Sequence, residues 1–280
     1  MQNVAIVGVG LIGASFGLAL RKAGFEGEIA GVSSPSAIAD GLACGAISSE
    51  ATLEQAARRA DLIYLAQPVN RILETIEILG PLARAGCLVT DAGSTKVQIV
   101  ERALLHLRSA TFLGGHPLAG KEQRGAAAAE ADLFRSRPYV LTPVSRETPA
   151  TQEFREWLAR LGAKVLDTSP QEHDQTVALT SHLPQLVSTA LSVTLAQRNT
   201  DALRKIFGPG LIDMTRLSLS APDLWLSIFS SNKLEILRAI DEFVSSLNLT
   251  RHAIEADDIS NIFHTASKFA ASIRNPTPDF

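Results

Sequence analysis

Residues 114–125 read GGHPLAGKEQRG and set one histidine, His116, between two glycines and a proline. Imidazole is the side chain whose ordinary pKa lets it take or give a proton near neutral pH. The flanking glycines and Pro117 predict a loop rather than a helix or a strand, and loops on rigid scaffolds carry catalytic groups. A solvated loop residue is the plain alternative. Upstream, VTDAGSTK brings Asp91, Ser94 and Thr95 to the end of an apolar run. Ser94 is a candidate hydroxyl partner for the imidazole, although it could instead cap the next helix with Lys96 solvated. A hydroxyl and an imidazole together suit removal of a proton from an alcohol while hydride leaves its carbon.

A hydride needs an acceptor, and the N-terminal GVGLIGAS points to one. Gly8, Gly10 and Gly13 have the G-x-G-x-x-G spacing of dinucleotide sites, after a strand pattern and before an amphipathic helix. The first-turn amides of Leu11 and Ile12 would face the pyrophosphate. Gln67 and Pro68, after the apolar run DLIYLAQP, fall near the adenosine–ribose side, or else form a plain strand-to-helix turn. The acid that usually holds the adenosine ribose is expected about 20 residues after the glycines. There the sequence reads GVSSPS, with Ser33 and Ser34 in place of a carboxylate and Pro35 opening a helix. Hydroxyls and a helix N-terminus at that point favour a 2′-phosphate, so NADP is expected over NAD. No arginine stands beside Ser33, so acceptance of both cofactors is the alternative.

The elements that must position these groups follow from patterning. Apolar runs at 3–9, 28–33, 61–68, 87–93, 110–115, 138–143 and 163–167 alternate with helix-length segments. Such runs, with little polar alternation, predict strands buried on both faces of a mostly parallel sheet. The fold class is therefore α/β: a doubly wound, Rossmann-type domain over 1–168, followed by an all-helical domain over 169–280. Helical stripes such as Ile236, Ile240, Phe243 and Leu247 are numerous for the second domain, and some are expected to face another subunit. The 280 residues carry a net charge of −3, which provides no basic field for nucleic acid or an anionic membrane. No apolar run approaches a membrane span, no signal segment is evident, and Cys44 and Cys87 lack metal-type spacing. A cytoplasmic protein without a metal site is expected.

At this point the chain resembles the prephenate/arogenate dehydrogenase family of tyrosine biosynthesis. The resemblance rests on VGVGLIGAS, DAGSTK, GGHPLAGKEQRGAAAAEADLF, HDQTVALTSHLPQL and DMTRLSLSAPDLWLSIFSSNK, and spans nearly the whole chain. It implies oxidative decarboxylation of a cyclohexadienol, prephenate or arogenate, with hydride passing to NAD(P). It further implies that His116 accepts the proton of the 4-hydroxyl and that Ser94 hydrogen-bonds both. His182 would lie near the substrate side chain, Arg216 would bind a carboxylate, and Trp225 would line the pocket. Taken alone, His182 reads as a core histidine at a helix break before Pro184, Arg216 as an ion-pair partner of Asp213, and Trp225 as core. The family also implies a homodimer through the helical domain. Lys121 departs from the small polar residue that the family often has there. With the chain ending at Phe280, no fused regulatory domain is expected, so any tyrosine inhibition would act at the active site.

Two rival readings carry different expectations. A β-hydroxyacid or imino-acid dehydrogenase of the same plan would use a lysine on the helical domain, for which Lys233 after Asn232 is the candidate. A nucleotide sensor without turnover would keep GVGLIGAS and need neither Ser94 nor His116.

Overall fold

The computed structural model describes residues 1–275 apart from Glu122, and every side chain among them except that of Leu224. Among the described residues, eight strands form one sheet in the order β3-β2-β1-β4-β5-β6-β7-β8. They are β1 Asn3–Val7, β2 Glu28–Val32, β3 Ser49–Glu50, β4 Leu62–Leu65, β5 Leu88–Asp91, β6 Thr111–Pro117, β7 Pro138–Thr142 and β8 Lys164–Asp167. Every pairing is parallel except β6 with β7. Six of these strands lie within the apolar runs and β6 continues two residues past its run; β3 has only two residues, too short to leave a hydrophobic pattern.

Helices cover the sheet: α1 Leu11–Lys22, α2 Pro35–Ala43, α3 Leu53–Arg59, α4 Val69–Leu79, α5 Val97–His106 and α6 Pro149–Arg160. Successive strand residues serve opposite layers. Ile6 and Tyr64 pack with Phe16, Phe134 and Phe154, whereas Val7, Ile63 and Val89 pack with Ile72, Ile76 and Ile99. With both faces covered, the central strands β4 and β5 are buried at every position, which explains their unbroken apolar runs. The helices show the matching stripe: α4 buries Val69, Ile72, Ile76 and Leu79 at spacings of three and four. Thr148 caps α6 in a reciprocal box with Thr151, and Pro149 starts the first turn.

After β8 the described elements are helical: α7 Pro170–Val177, a π-helical turn Ala178–His182, α8 Leu183–Arg198, α9 Asp201–Lys205 and α10 Pro209–Thr215. They continue with a 3-10 turn Arg216–Leu219, α11 Pro222–Ser231, α12 Lys233–Glu255 and α13 Ser260–Arg274. Pro184 lacks the N–H that would bond the carbonyl of Thr180, and the helix loosens into the π turn just before it. The chain is divided into two compact units, Met1–Lys233 and the part from Leu234 onward. Helices α7 to α11 thus belong to the same unit as the sheet.

The expected loop at His116 is instead strand. His116 and Pro117 pair antiparallel with Val140 and Tyr139. Pro117 is the last residue of β6, a position where the missing donor interrupts nothing. The two preceding glycines are required by packing: a Cβ on Gly114 would lie 2.2 Å from Thr142 Oγ1, and one on Gly115 would lie 2.6 Å from the Asp91 carbonyl.

Candidate active site

The carboxyl ends of β1, β4, β5 and β6 converge on a cavity of about 480 Å³. Open parallel sheets bind ligands along this edge. One side is the start of α1, with Gly10, Leu11 and Ile12; Gln67 and Pro68 follow β4. The other side holds Ser94 and His116, with Ser227 and Ile228 from α11.

The glycine turn has the form that a dinucleotide needs. Gly8 has φ +97°, and a Cβ there would come 2.5 Å from the Ala66 carbonyl. A Cβ on Gly13 would meet the Gly8 carbonyl at 2.1 Å, so the helix can approach the strand only with glycine. Gly10 is different: nothing lies within 4 Å of its absent Cβ. The space beside it is open to the cavity, and no side chain caps α1, whose N-cap is Gly10 itself. Free amides at an uncapped helix N-terminus beside open space fit a pyrophosphate.

Ser33 and Ser34 are exposed between β2 and α2. Ser34 is the N-cap of α2 and Pro35 its first residue. The Ser34 hydroxyl accepts from the Ala37 amide at 3.5 Å and lies 3.3 Å from the Ser36 hydroxyl.

His116 is 8% exposed. Its Nδ1 lies 2.8 Å from Nε2 of His173 on α7, and Nδ1 of His173 lies 2.7 Å from Asp174 Oδ1. The Asp174 carboxylate also accepts from the amides of Lys96, at 2.7 Å, and Val97, at 2.9 Å. It thereby caps α5 in place of a side chain from α5 itself. Ser94 shares the cavity with His116, but the hydrogen bond made by the imidazole goes to His173. Burial, followed by the neighbouring His173, Lys96 and His182, holds the His116 pKa well below that of an ordinary histidine. The ring is therefore neutral at neutral pH.

Lys96, which the sequence allowed as a solvated residue, is fully buried. Its ammonium pairs with the Asp91 carboxylate and donates to the Gly115 carbonyl at 2.7 Å. Asp91 also accepts from the amides of Gly93, at 2.8 Å, and Gly115, at 3.1 Å. This ion pair joins the ends of β5 and β6, which carry Ser94 and His116.

His182, Arg216 and Trp225 lie outside the cavity lining. His182 is buried, and its ring meets Trp225 edge-on at 6.1 Å. Burial lowers its pKa to about 4. Its Nδ1 lies 3.5 Å from Asn232 Nδ2, which donates to the Asp174 carbonyl at 2.8 Å. Trp225 Nε1 is buried and has no hydrogen-bond partner among the described residues. Arg216 is exposed at the end of α10. Lys121 lines the cavity and pairs with Glu130 at 2.5 Å. Lys233, the candidate of the rival dehydrogenase reading, is exposed and not part of the lining. Sequence reasoning missed His173, Asp174 and Asn232. The adjacent His-Asp pair after the Ser169-Pro170 helix start was the available signal, but nothing local connected it to β6. Among the described residues, no group of His, Cys, Asp and Glu could hold a metal ion, and no helix is long and apolar enough to cross a membrane.

A cavity running from a glycine turn and helix N-terminus to a buried imidazole, on the carboxyl edge of such a sheet, is the layout of a nicotinamide-dependent oxidoreductase. Comparison with known proteins narrows that class. Residues 16–167 match the prephenate dehydrogenase nucleotide-binding domain, and residues 169–268 match the prephenate dehydrogenase dimerization domain. Prephenate dehydrogenase of Bacillus subtilis is 34% identical over 273 residues, covering 94% of this chain and 72% of that protein. The crystal structure of Aquifex aeolicus prephenate dehydrogenase with hydroxyphenyl propionate and NAD+ has a TM-score of 0.90 and 31% identity, covering 99% of each chain. Arogenate dehydrogenase of Synechocystis has a TM-score of 0.83 and 30% identity, covering 99% of this chain and 100% of that one. The chain belongs to the prephenate/arogenate dehydrogenase family.

Proposed function

We propose that this chain carries out the family's oxidative decarboxylation of prephenate or arogenate in the cavity between the glycine turn and His116. The observation that carries this is the placement of a buried imidazole and Ser94 in one cavity with the open start of α1. Gly8, Gly10, Leu11, Ile12, Gly13, Gln67 and Pro68 would hold the dinucleotide. When bound, its nicotinamide supplies the hydride acceptor for C4 of the ring. His116 takes the proton of the 4-hydroxyl, and Ser94 orients that hydroxyl by a hydrogen bond. The bond from the ring to its carboxylate then breaks, carbon dioxide leaves, and the released electron pair completes the aromatic ring. A base with a depressed pKa stays unprotonated across the neutral range, as this step needs.

His182, Arg216 and Trp225 are proposed for the side-chain end of the substrate. Supporting this, Trp225 lies on α11, which also sends Ser227 and Ile228 to the cavity, and His182 packs against it. The assignment of Arg216 rests on the resemblance of DMTRL and on the fit of a guanidinium to a carboxylate. We read residues 1–168 as the cofactor domain and 169–280 as the substrate and dimerisation domain. The matched dimerization model and exposed side chains such as Phe263 and Phe269 on α13 support a homodimer. Preference for NADP is supported by the uncharged, exposed serines at the start of α2.

The test is to mix the purified protein with prephenate or arogenate and NADP+ or NAD+, and to follow formation of reduced nicotinamide and carbon dioxide. Turnover of at least one pair is expected. No turnover of any pair would refute the reading.

A further inference from the structure

We infer that His173 and Asp174 are positioning residues that hold His116 in one tautomer, with its proton on Nδ1 and its lone pair on Nε2. The catalytic meaning of this rests on the function proposed above. Asp174 stands at the far end of the chain of contacts. Backbone amides can only donate, so Asp174, which meets those of Lys96 and Val97, must accept from both. Its carboxylate sits at the start of the ten-residue helix α5, where negative charge is favoured. Toward His173 it is again an acceptor, so Nδ1 of His173 carries a hydrogen. In a neutral His173 ring the lone pair is then on Nε2, which faces Nδ1 of His116 at 2.8 Å. His116 must supply the hydrogen of that contact, and its Nε2 is left basic.

All three residues are buried: His116 is 8% exposed, and His173 and Asp174 are each 2% exposed, so water does not substitute for these contacts. Asn232 holds the Asp174 carbonyl at 2.8 Å and so restrains the residue carrying the carboxylate. With the opposite tautomer, Nε2 of His116 would already bear a hydrogen and could not accept the substrate's proton. When Nε2 takes that proton, the O–H bond of the substrate breaks, an N–H bond forms, and the Nδ1 hydrogen remains held by His173. The positive charge then lies along a line of contacts that ends on the Asp174 carboxylate.

Two measurements test this. The first is nitrogen NMR of the histidine rings in the ligand-free full-length protein, comparing wild type with His173→Asn. It reads the tautomer whether or not the enzyme turns over. We expect His116 of the wild type to carry hydrogen on Nδ1 alone, and the variant to show a mixture of tautomers. Hydrogen on Nε2 in the wild type overturns the inference, as does a tautomer unchanged in the variant. The second is steady-state kinetics of His173→Asn, too short to reach His116, against His173→Gln, whose amide oxygen falls near the lost Nε2. The asparagine variant should lower kcat about ten- to a hundredfold with KM little changed, and the glutamine variant should recover most of it. Equal losses in the two variants, or a loss confined to KM, would show a merely structural role. Absence of activity in the wild type would remove the proposed function, while the NMR result would still decide the tautomer.

Discussion

The buried Lys96–Asp91 pair permits a prediction that connects stability to catalysis. Lys96→Met keeps the length and apolar stem but removes the ammonium. Asp91 would then be a fully buried carboxylate holding only the Gly93 and Gly115 amides, and the Gly115 carbonyl would lose its donor. Breaking a buried pair from one side costs about 3–5 kcal/mol. The two remaining amides place the expected loss toward the lower figure, about 3 kcal/mol. For a domain of this size, each kcal/mol lowers Tm by roughly 2–4 °C, so a drop of about 6–12 °C is expected in a thermal melt followed by circular dichroism. The kinetic consequence has a definite sign. Lys96 is one of the groups that depress the pKa of His116, after burial and His173 and ahead of His182. Without that charge the pKa rises. Since the base must be unprotonated, the acidic limb of kcat/KM should move to higher pH. A melt within about 2 °C of wild type, together with an unmoved acidic limb, would refute the view that this pair supports the site.

Three further outcomes follow from the proposed roles. His116→Asn should lower kcat by about 10² to 10⁴ with little effect on cofactor binding, measured by initial rates and fluorescence titration; near-normal turnover would end its assignment as the base. Ser33→Asp should shift the ratio of kcat/KM values toward NAD, because a carboxylate accepts ribose hydroxyls and repels a 2′-phosphate. An unchanged ratio would move the selectivity elsewhere. Arg216→Ala should raise KM far more than it lowers kcat, since a carboxylate contact made equally in ground and transition states affects binding; unaltered saturation kinetics would make it a surface residue.

How much of this chain could be read in advance depends on the range over which each signal acts. The glycine turn, the strand runs and the Ser34–Pro35 helix start are local matters of sterics, hydrogen bonding and burial, carried by a few neighbouring residues. They therefore stand in the order of the amino acids, and Ser94 and His116 were found from the same kind of pattern. The resemblance to a family added roles that no local pattern contains. What only the tertiary structure decided is which distant groups meet. His116 is in a strand, against its glycine and proline neighbours, because β7 arrives antiparallel beside it. Lys96 is buried because β5 and β6 end side by side and place the Asp91 carboxylate and Gly115 carbonyl around its ammonium. His173 reaches His116 across 57 positions of sequence because α7 docks its Asp174 on the first amides of α5. Each of these contacts depends on a pairing between segments far apart in the chain. A short stretch of sequence has no means of expressing such a pairing, since the free energy favouring it exists only once both partners are folded and water has been excluded between them.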